Sequence, residues 1–260
     1  MTGYGLNHNF DRILVIIPVR NEEASIGGVV RSLQFHELTR IRVVDNGSSD
    51  RSAEAAKDAG AEVIFEPTPG YGQACWQGMQ HIPPDIEWVL FCDGDGSDDV
   101  SQLPLFLAKR AEFDLILGDR RATPQGRSAL TPTQNVGNGL ATFLIQIGWK
   151  HRYHDLGPLR LIRRAILEQM QMRDRGFGWT VEMQVRAIEL GLQICELPVN
   201  YHPRQNGRSK ISGTLSGSIR AGIIILKTLG TLYLQRSATP PKTQCSEFNL
   251  SSPLAPSPLA

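Results

Sequence analysis

The amino-acid sequence predicts an α/β fold with a mostly parallel central sheet flanked by helices. Three observations lead there. Short apolar runs rich in β-branched residues recur at Arg12–Pro18, Ile41–Val44, Glu62–Phe65 and Trp88–Cys92, and their continuous hydrophobicity is that of buried strands. Segments with helical spacing lie between them, so strand and helix alternate as in right-handed βαβ units. The runs give way to Pro18–Glu22, Asp45–Asp50, Pro67–Gly72 and Asp93–Asp99. Ligands of open α/β sheets bind beyond the carboxyl ends of the strands, so these four stretches are expected to share one edge and one site.

The elements follow in order. After the first strand, Asn21 is placed to cap a helix over about Ala24–Leu33, with Glu22 and Glu23 in its first turn. A second helix covers about Arg51–Ala59 and stops at Gly60; a third runs from Gly70 to about Met79. The strand Trp88–Cys92 carries four aspartates at its end. Ser101–Arg110 reads as a helix and Asp114–Arg121 as a strand, while Ala122–Asn135, with its Gly, Pro, Ser and Thr, reads as a loop. Asn138–Trp149 is an apolar helix, His154–Arg160 a charged turn, and Leu161–Met170 a strand and then a helix. Phe177–Glu182 leads into a helix through Leu190. Gln193–Tyr201 is an edge strand, because Pro198 cannot donate to a ladder.

The basic loop Arg204–Lys210 precedes a closing amphipathic helix over about 218–235. In that helix Ile219, Ile223, Leu226 and Tyr233 form one broad face, opposite Arg220, Lys227 and Thr231. Lys227 breaks the apolar run, which is too short for a bilayer core of about 30 Å. The helix either packs on the core or lies in a membrane interface. Residues 1–235 are expected to form one domain, and the Pro/Ser-rich 236–260 a disordered tail.

With 41% hydrophobic residues in 260, the chain can bury a sizeable core. Cys75, Cys92, Cys195 and Cys245 show no metal-type spacing, and Met1–Asp11 lacks the apolar stretch of a signal peptide. A reduced, cytoplasmic protein is the expectation. The net charge of +1 conceals a division: residues 1–119 hold 9 Lys+Arg against 19 Asp+Glu, and residues 120–236 hold 17 against 6. Such asymmetry points to one half that holds a cation and another that holds anions, unless the halves only neutralise each other by packing. No nucleic-acid partner is expected. Neither G-x-G-x-x-G nor G-x-x-x-x-G-K-[ST] follows the first strand, which argues against a dinucleotide cofactor and a P-loop enzyme.

Asp93, Asp95, Asp98 and Asp99 crowd one strand end, loosened by Gly94 and Gly96. Taken alone this is a solvated acidic turn or a site for a hard cation, Mg2+ or Mn2+, able to hold a diphosphate. Asp98 and Asp99 also read as the acidic start of the next helix. Asp45 could accept hydrogen bonds from a base or ribose, or close an Asx-turn. Arg20 and Glu22 lie beside it, or are helix-end charges. Arg120, Arg160, Arg208 and Lys210 could meet a second anion, arginine's planar fork suiting phosphate; each alone is equally a surface charge.

Val15-Ile-Ile-Pro-Val-Arg-Asn-Glu-Glu23, Val44-Asp-Asn-Gly-Ser-Ser-Asp50, Asp93-Gly-Asp95 and Arg208-Ser-Lys210 occur in that order. On these motifs the chain resembles the family 2 glycosyltransferases with the GT-A fold, a Rossmann-like sandwich. With Asp155-x-x-Pro-x-Arg160 it looks most like the dolichyl- or polyprenyl-phosphate sugar synthases. The resemblance spans about residues 12–235. It implies that Pro18, Arg20 and Glu22 line a nucleotide pocket, that Asp45 contacts the base, and that Asp93 and Asp95 hold the metal and diphosphate. It also implies that Arg120 ends beside the acceptor phosphate, that Arg208 and Lys210 close over the phosphates, and that Glu182 is an acidic acceptor-site residue. Gln73 stands near where synthases often carry lysine, Ser97 where a longer metal-reaching side chain is common, and the C-terminal membrane spans of many members are not expected.

The implied activity is inverting, metal-dependent transfer from a nucleotide-sugar donor to a polyprenyl phosphate, at the cytoplasmic membrane face and without spanning it. A phosphate acceptor is already an anion and needs no base. The alternatives are a sugar or lipid hydroxyl acceptor with Glu182 as base, a nucleotidyltransferase, whose glycine- and lysine-containing signature is absent after the first strand, and a non-catalytic nucleotide-binding or membrane-docking module.

Overall fold

The computed structural model describes residues 10–203 and 215–236. In chain order its elements are β1 (Ile13–Val19), α1 (Glu23–Phe35), β2 (Ile41–Asp45), α2 (Ser52–Asp58), β3 (Glu62–Phe65), α3 (Tyr71–Gly78) and β4 (Trp88–Phe91). There follow α4 (Leu103–Ala108), β5 (Leu115–Asp119), α5 (Pro124–Ala129), α6 (Pro132–Trp149), β6 (Arg160–Arg163) and α7 (Arg164–Met170). The last are α8 (Trp179–Glu189), β7 (Ile194–Pro198) and α9 (Leu215–Gln235).

Among the described residues, seven strands form one sheet in the order β3-β2-β1-β4-β6-β5-β7. Only β6 runs against its neighbours, pairing Arg160 with Phe91 of β4 and with Leu117 of β5. The sheet is therefore mostly parallel, and β7 is the edge strand that Pro198 anticipates. The alternation of β1 splits the core. Leu14 and Ile16 pack with residues of α3, α6, α8 and α9 on one face, while Ile13, Val15 and Ile17 pack with α1 and α4 on the other. Apolar burial on both faces is what the continuous hydrophobic runs require. Because β1, β2, β4 and β5 run in the same direction, their carboxyl ends share one edge.

Three local readings are corrected. Asn21 does not cap α1: it is left-handed at φ 55°. Its backbone N–H donates to Ser48 Oγ, and its Oδ1 accepts from the Ser49 N–H, so it ties the β1 loop to the β2 loop. The stretch 122–135 is largely helical. Thr123 caps α5, and Thr131 with Gln134 forms a reciprocal capping box on α6, each helix starting on proline. Proline in a first turn opens a helix, because its missing N–H has no partner there in any case. The inward face of α9 is also different. Leu229 and Leu232 are buried and Ile225 packs beside them, whereas Ile223, Leu226 and Tyr233 face outward. Ile219, Arg208, Lys210 and the tail 237–260 lie outside what is described of side chains or backbone.

Candidate active site

The site is assembled at the carboxyl edge of the sheet. After β4 the chain turns through Gly94 and Gly96. A Cβ on Gly94 would stand 2.7 Å from Val19 Cγ2, so the acidic loop packs directly on the end of β1. Asp95 is buried, and its Oδ1 accepts from the Ser97 N–H at 2.9 Å. The Asp93 N–H donates to Asp98 Oδ2 at 2.9 Å, and Tyr71 Oη donates to Asp93 Oδ1 at 3.3 Å. Burial, and then the neighbouring Asp93, hold the Asp98 carboxyl well above the usual carboxylate range. Asp98 is thus a member of the acidic group rather than a helix-start residue. Asp99 does cap the following turn, accepting from the Ser101 N–H. A cleft of about 290 Å3 opens between α1 and this loop, with Asp93, Asp98 and Asp99 in its wall.

Could these residues hold a divalent cation? Among the described residues no three His, Cys, Asp or Glu side chains gather into a ready cage. Mg2+ rarely needs one: it is held by one or two carboxylates and completes its shell with substrate phosphates and water. Carboxylate oxygens of Asp93 and Asp95 on one short loop suit that donor set. The buried Ser97 Oγ, which has no hydrogen-bond partner, adds a hard oxygen beside them.

Around the acidic loop, the nucleotide-side residues take up two kinds of position. Pro18 is partly exposed, Arg20 exposed and Glu22 half-buried at the end of β1. Asp45 is buried and its Oδ1 accepts from the Ser48 N–H at 3.0 Å, so the Asx-turn reading holds for one of its oxygens. Asn46, which sequence reasoning passed over, pins the next loop: its Nδ2 donates to the carbonyls of Glu66 and Thr68, and its Oδ1 accepts from the Gly70 N–H. Glu66 lies beneath. Burial pushes its carboxyl up, but hydrogen bonds from Thr68 and Gln73 outweigh this and leave it below the usual range. Gln73 therefore serves Glu66.

Two of the predicted anion-binding arginines, Arg120 and Arg160, are already engaged. Arg120 closes its fork on Asp155, with Nε to Oδ2 at 2.7 Å and Nη2 to Oδ1 at 2.9 Å, and lies 4.9 Å from the Tyr201 ring centre. Burial would lower its pKa, but Asp155 raises it further, and Asp155 in turn is held below the carboxylate range by Arg120 despite its burial. Asn138 Nδ2 also donates to Asp155 Oδ1. Arg160 spends Nε and Nη2 on the Gly157 carbonyl and Nη1 on that of Thr180. Both side chains are buried structural cations, and neither opens its fork to a ligand. Sequence could not show this, since the partners lie 35 residues away for Arg120 and are backbone carbonyls for Arg160.

Glu182 is corrected in the same sense. Its carboxylate is buried, accepts from the backbone N–H groups of Arg173 and Asp174, and holds the 173–176 loop. A carboxylate so occupied is not placed to take an acceptor proton. That loop matters nonetheless. Gly72 N–H donates to the Gly176 carbonyl and Gln73 N–H to that of Arg175, while Asp174 Oδ2 accepts from Thr228 Oγ1 on α9.

A second, basic groove of about 610 Å3 opens beyond β5, lined by Arg121, Arg127, Arg152, His154, Phe143 and Asp119. Arg121, Arg127 and Arg152 were not singled out from sequence; the signal was a run from 120 to 154 that contains no Asp or Glu. The two grooves give the division of charge a spatial form. Segment 199–202 laces across the acidic loop, His202 N–H donating to the Ser97 carbonyl and Asn200 Nδ2 to Asp99 Oδ2. The chain thus enters the loop bearing Arg208 and Lys210 beside the aspartates.

The mostly parallel sheet with an acidic strand end at its carboxyl edge has the GT-A fold, and solved structures with that fold superpose on it. The glycosyl transferase family 2 model matches residues 14–171, more than half of the chain, and the protein belongs to that family. An uncharacterized glycosyltransferase of Mycobacterium tuberculosis is 36% identical over 212 residues, covering 81% of this chain and 94% of that one. An undecaprenyl-phosphate mannosyltransferase of Micrococcus luteus is 30% identical over 224 residues, 79% of this chain and 90% of its own. Among solved structures, glucosyl-3-phosphoglycerate synthase of Mycobacterium tuberculosis with Mn2+, UDP-glucose and phosphoglyceric acid superposes with a TM-score of 0.66 at 20% identity, covering 84% of this chain and 79% of that one. At that identity the likeness is one of fold.

Proposed function

We propose that this glycosyltransferase moves a sugar from a nucleotide-sugar donor to a polyprenyl phosphate at the cytoplasmic face of the membrane. The observation that carries the reading is the pairing of an acidic cleft with a basic groove along one sheet edge. The first suits a cation-bound diphosphate and the second an acceptor that is itself an anion. The Micrococcus luteus relative, named for transfer to undecaprenyl phosphate, supports that acceptor class.

In this reading Pro18, Arg20, Glu22 and Asp45 bound the nucleotide pocket, and Asp93 and Asp95 face the donor diphosphate. When bound, Mg2+ or Mn2+ held by Asp93 and Asp95 supplies Lewis-acid stabilisation of the charge that grows on the leaving diphosphate. Arg208 and Lys210, a few residues after Pro203 in sequence, are assigned to screen the same charge. The phosphate oxygen of the acceptor attacks the anomeric carbon in line, the bond to the nucleoside diphosphate breaks with its electron pair, and configuration inverts. No proton has to be removed, which agrees with Glu182 being occupied. Arg121, Arg127 and Arg152 hold the acceptor phosphate at the groove.

The test is a panel of radiolabelled nucleotide sugars incubated with membranes and Mg2+ or Mn2+, followed by organic extraction. Label in a mild-acid-labile lipid is expected. Label that stays water-soluble on a small phosphorylated acceptor would overturn the lipid reading.

A further inference from the structure

We propose that the outer faces of α6 and α9 form one docking surface for an anionic lipid bilayer. The inference deepens the polyprenyl-phosphate reading and rests on it for its purpose, though not for its test. Val136, Leu140, Phe143 and Ile147 are between 45% and 72% exposed. They stand at i, i+4, i+7 and i+11 on α6, an arc of about 60° at 3.6 residues per turn. The opposite side of α6, with Ala141, Ile145 and Trp149, is in the core, so the stripe points straight out of the protein.

On α9, Leu229 and Leu232 face inward while Ile223, Leu226 and Leu234 are 60%, 40% and 87% exposed. The two helices touch at their C-terminal ends: Tyr233 stacks edge-on to Trp149 at 5.9 Å and closes over Gly148, where a Cβ would lie 3.3 Å from its ring. Leu226 lies on the same line of α9 as Tyr233, seven residues earlier, so two exposed apolar rows stand on helices that pack against each other. Large apolar side chains exposed in such number are uncommon on a monomer without a partner.

Charge selects the partner. Residues 120–154, which include α6, contain five Lys or Arg and no Asp or Glu. Residues 197–236, which include α9, contain six and again no Asp or Glu. Lys150, Arg152, Lys227 and Arg236 are exposed around the two helices. A second copy would bring this face against itself, cation on cation. An anionic leaflet complements both the apolar stripe and its basic margin. No helix among the described residues is long and apolar enough to cross a membrane, so docking is in the interface plane.

The experiment is co-sedimentation of the full chain with vesicles of phosphatidylcholine and phosphatidylglycerol in equal parts, and with phosphatidylcholine alone. The chain is expected to pellet with the anionic vesicles and to be released by salt. Leu140→Glu with Ile147→Glu, and separately Leu226→Glu with Leu234→Glu, are expected to weaken partitioning at least tenfold at an unchanged melting temperature. Both pairs are expected to keep transfer to acceptor dispersed in detergent while losing it on vesicles. Vesicle binding unaltered by either pair overturns the proposal. So does a lipid-free dimer that either pair converts to monomer, since a second copy then covers the face. Failure of the wild type to use polyprenyl phosphate even in detergent would sink the acceptor reading, while anionic-vesicle binding lost in both pairs would still uphold the docking surface.

Discussion

Replacing Arg120 by methionine separates two roles that a cation at the end of β5 can play. The side chains of Arg120 and Asp155 are 10% and 0% exposed, and two hydrogen bonds join them. Removing one member of a buried pair costs about 3–5 kcal/mol, because the other charge is left without compensation. Asp155 would keep the N–H groups of residue 120 and of Leu156, as well as Asn138, which places the loss near the lower bound, about 3 kcal/mol. For a domain of this size that is a fall in melting temperature of about 6–12 °C. Differential scanning calorimetry at pH 7 measures it. The pH dependence has a definite sign. Asp155 is depressed in the folded state, so its contribution is complete above the unfolded carboxyl value of about 3.9 and is lost as pH falls through the folded value. The gap between wild type and variant is therefore widest at neutral pH and narrows in acid. Arg120→Met with Asp155→Leu is expected to cost less than Arg120→Met alone. A variant that melts like the wild type yet loses acceptor affinity would refute the reasoning and return Arg120 to the ligand.

Three further outcomes are expected. Asp95→Ala, read by sugar transfer at saturating Mn2+ or Mg2+, loses about a thousandfold, the scale of several kcal/mol of lost charge stabilisation; its circular dichroism is unchanged. Glu182→Gln lowers stability by about 1–3 kcal/mol through weakened hold on the 173–176 loop, measured by urea unfolding. Its transfer rate falls less than tenfold, whereas removal of a general base would cost about a hundredfold or more. Gly94→Ala must displace Val19 or the loop, since its Cβ would sit 2.7 Å from Val19 Cγ2; an overpacking loss of about 1–3 kcal/mol, with a weakened response of activity to added metal, is expected.

What could be read in advance followed the range of the interaction. The strands β1 to β4 and their helices announce themselves through local hydrophobic period, and the acidic cluster through its position at a strand end. The reversal of β6 has no local signature; it depends on pairing between Arg160, Phe91 and Leu117 across the sheet. Pro124 and Pro132 looked like loop residues because proline is usually a breaker, and the threonines that cap both helices were the overlooked signal. The face of α9 was ambiguous because apolar residues almost encircle it, and only contact with α6 and α8 chooses Leu229 and Leu232. Charged residues were the hardest. Whether a charge is offered to a ligand or spent within the protein, as Arg120 is on Asp155, Arg160 on the Gly157 carbonyl and Glu182 on the Arg173 amide, is decided by the folded geometry and not by the residue type.

The short loop 173–176 has a consequence for substrate choice. It is bonded to Thr228 of α9 through Asp174, to Gly72 and Gln73 at the start of α3 through its carbonyls, and to Glu182 through its amides. Tyr71, one residue before Gly72, reaches Asp93. α9, the helix proposed to dock, and Asp93, proposed to face the donor, are therefore joined by a short chain of hydrogen bonds. If α9 docks as proposed, the enzyme would act as a depth gauge: the height of its reaction centre above the leaflet would be set, and acceptors would be sorted by how far their phosphate protrudes from the bilayer as well as by the chemistry of the phosphate itself.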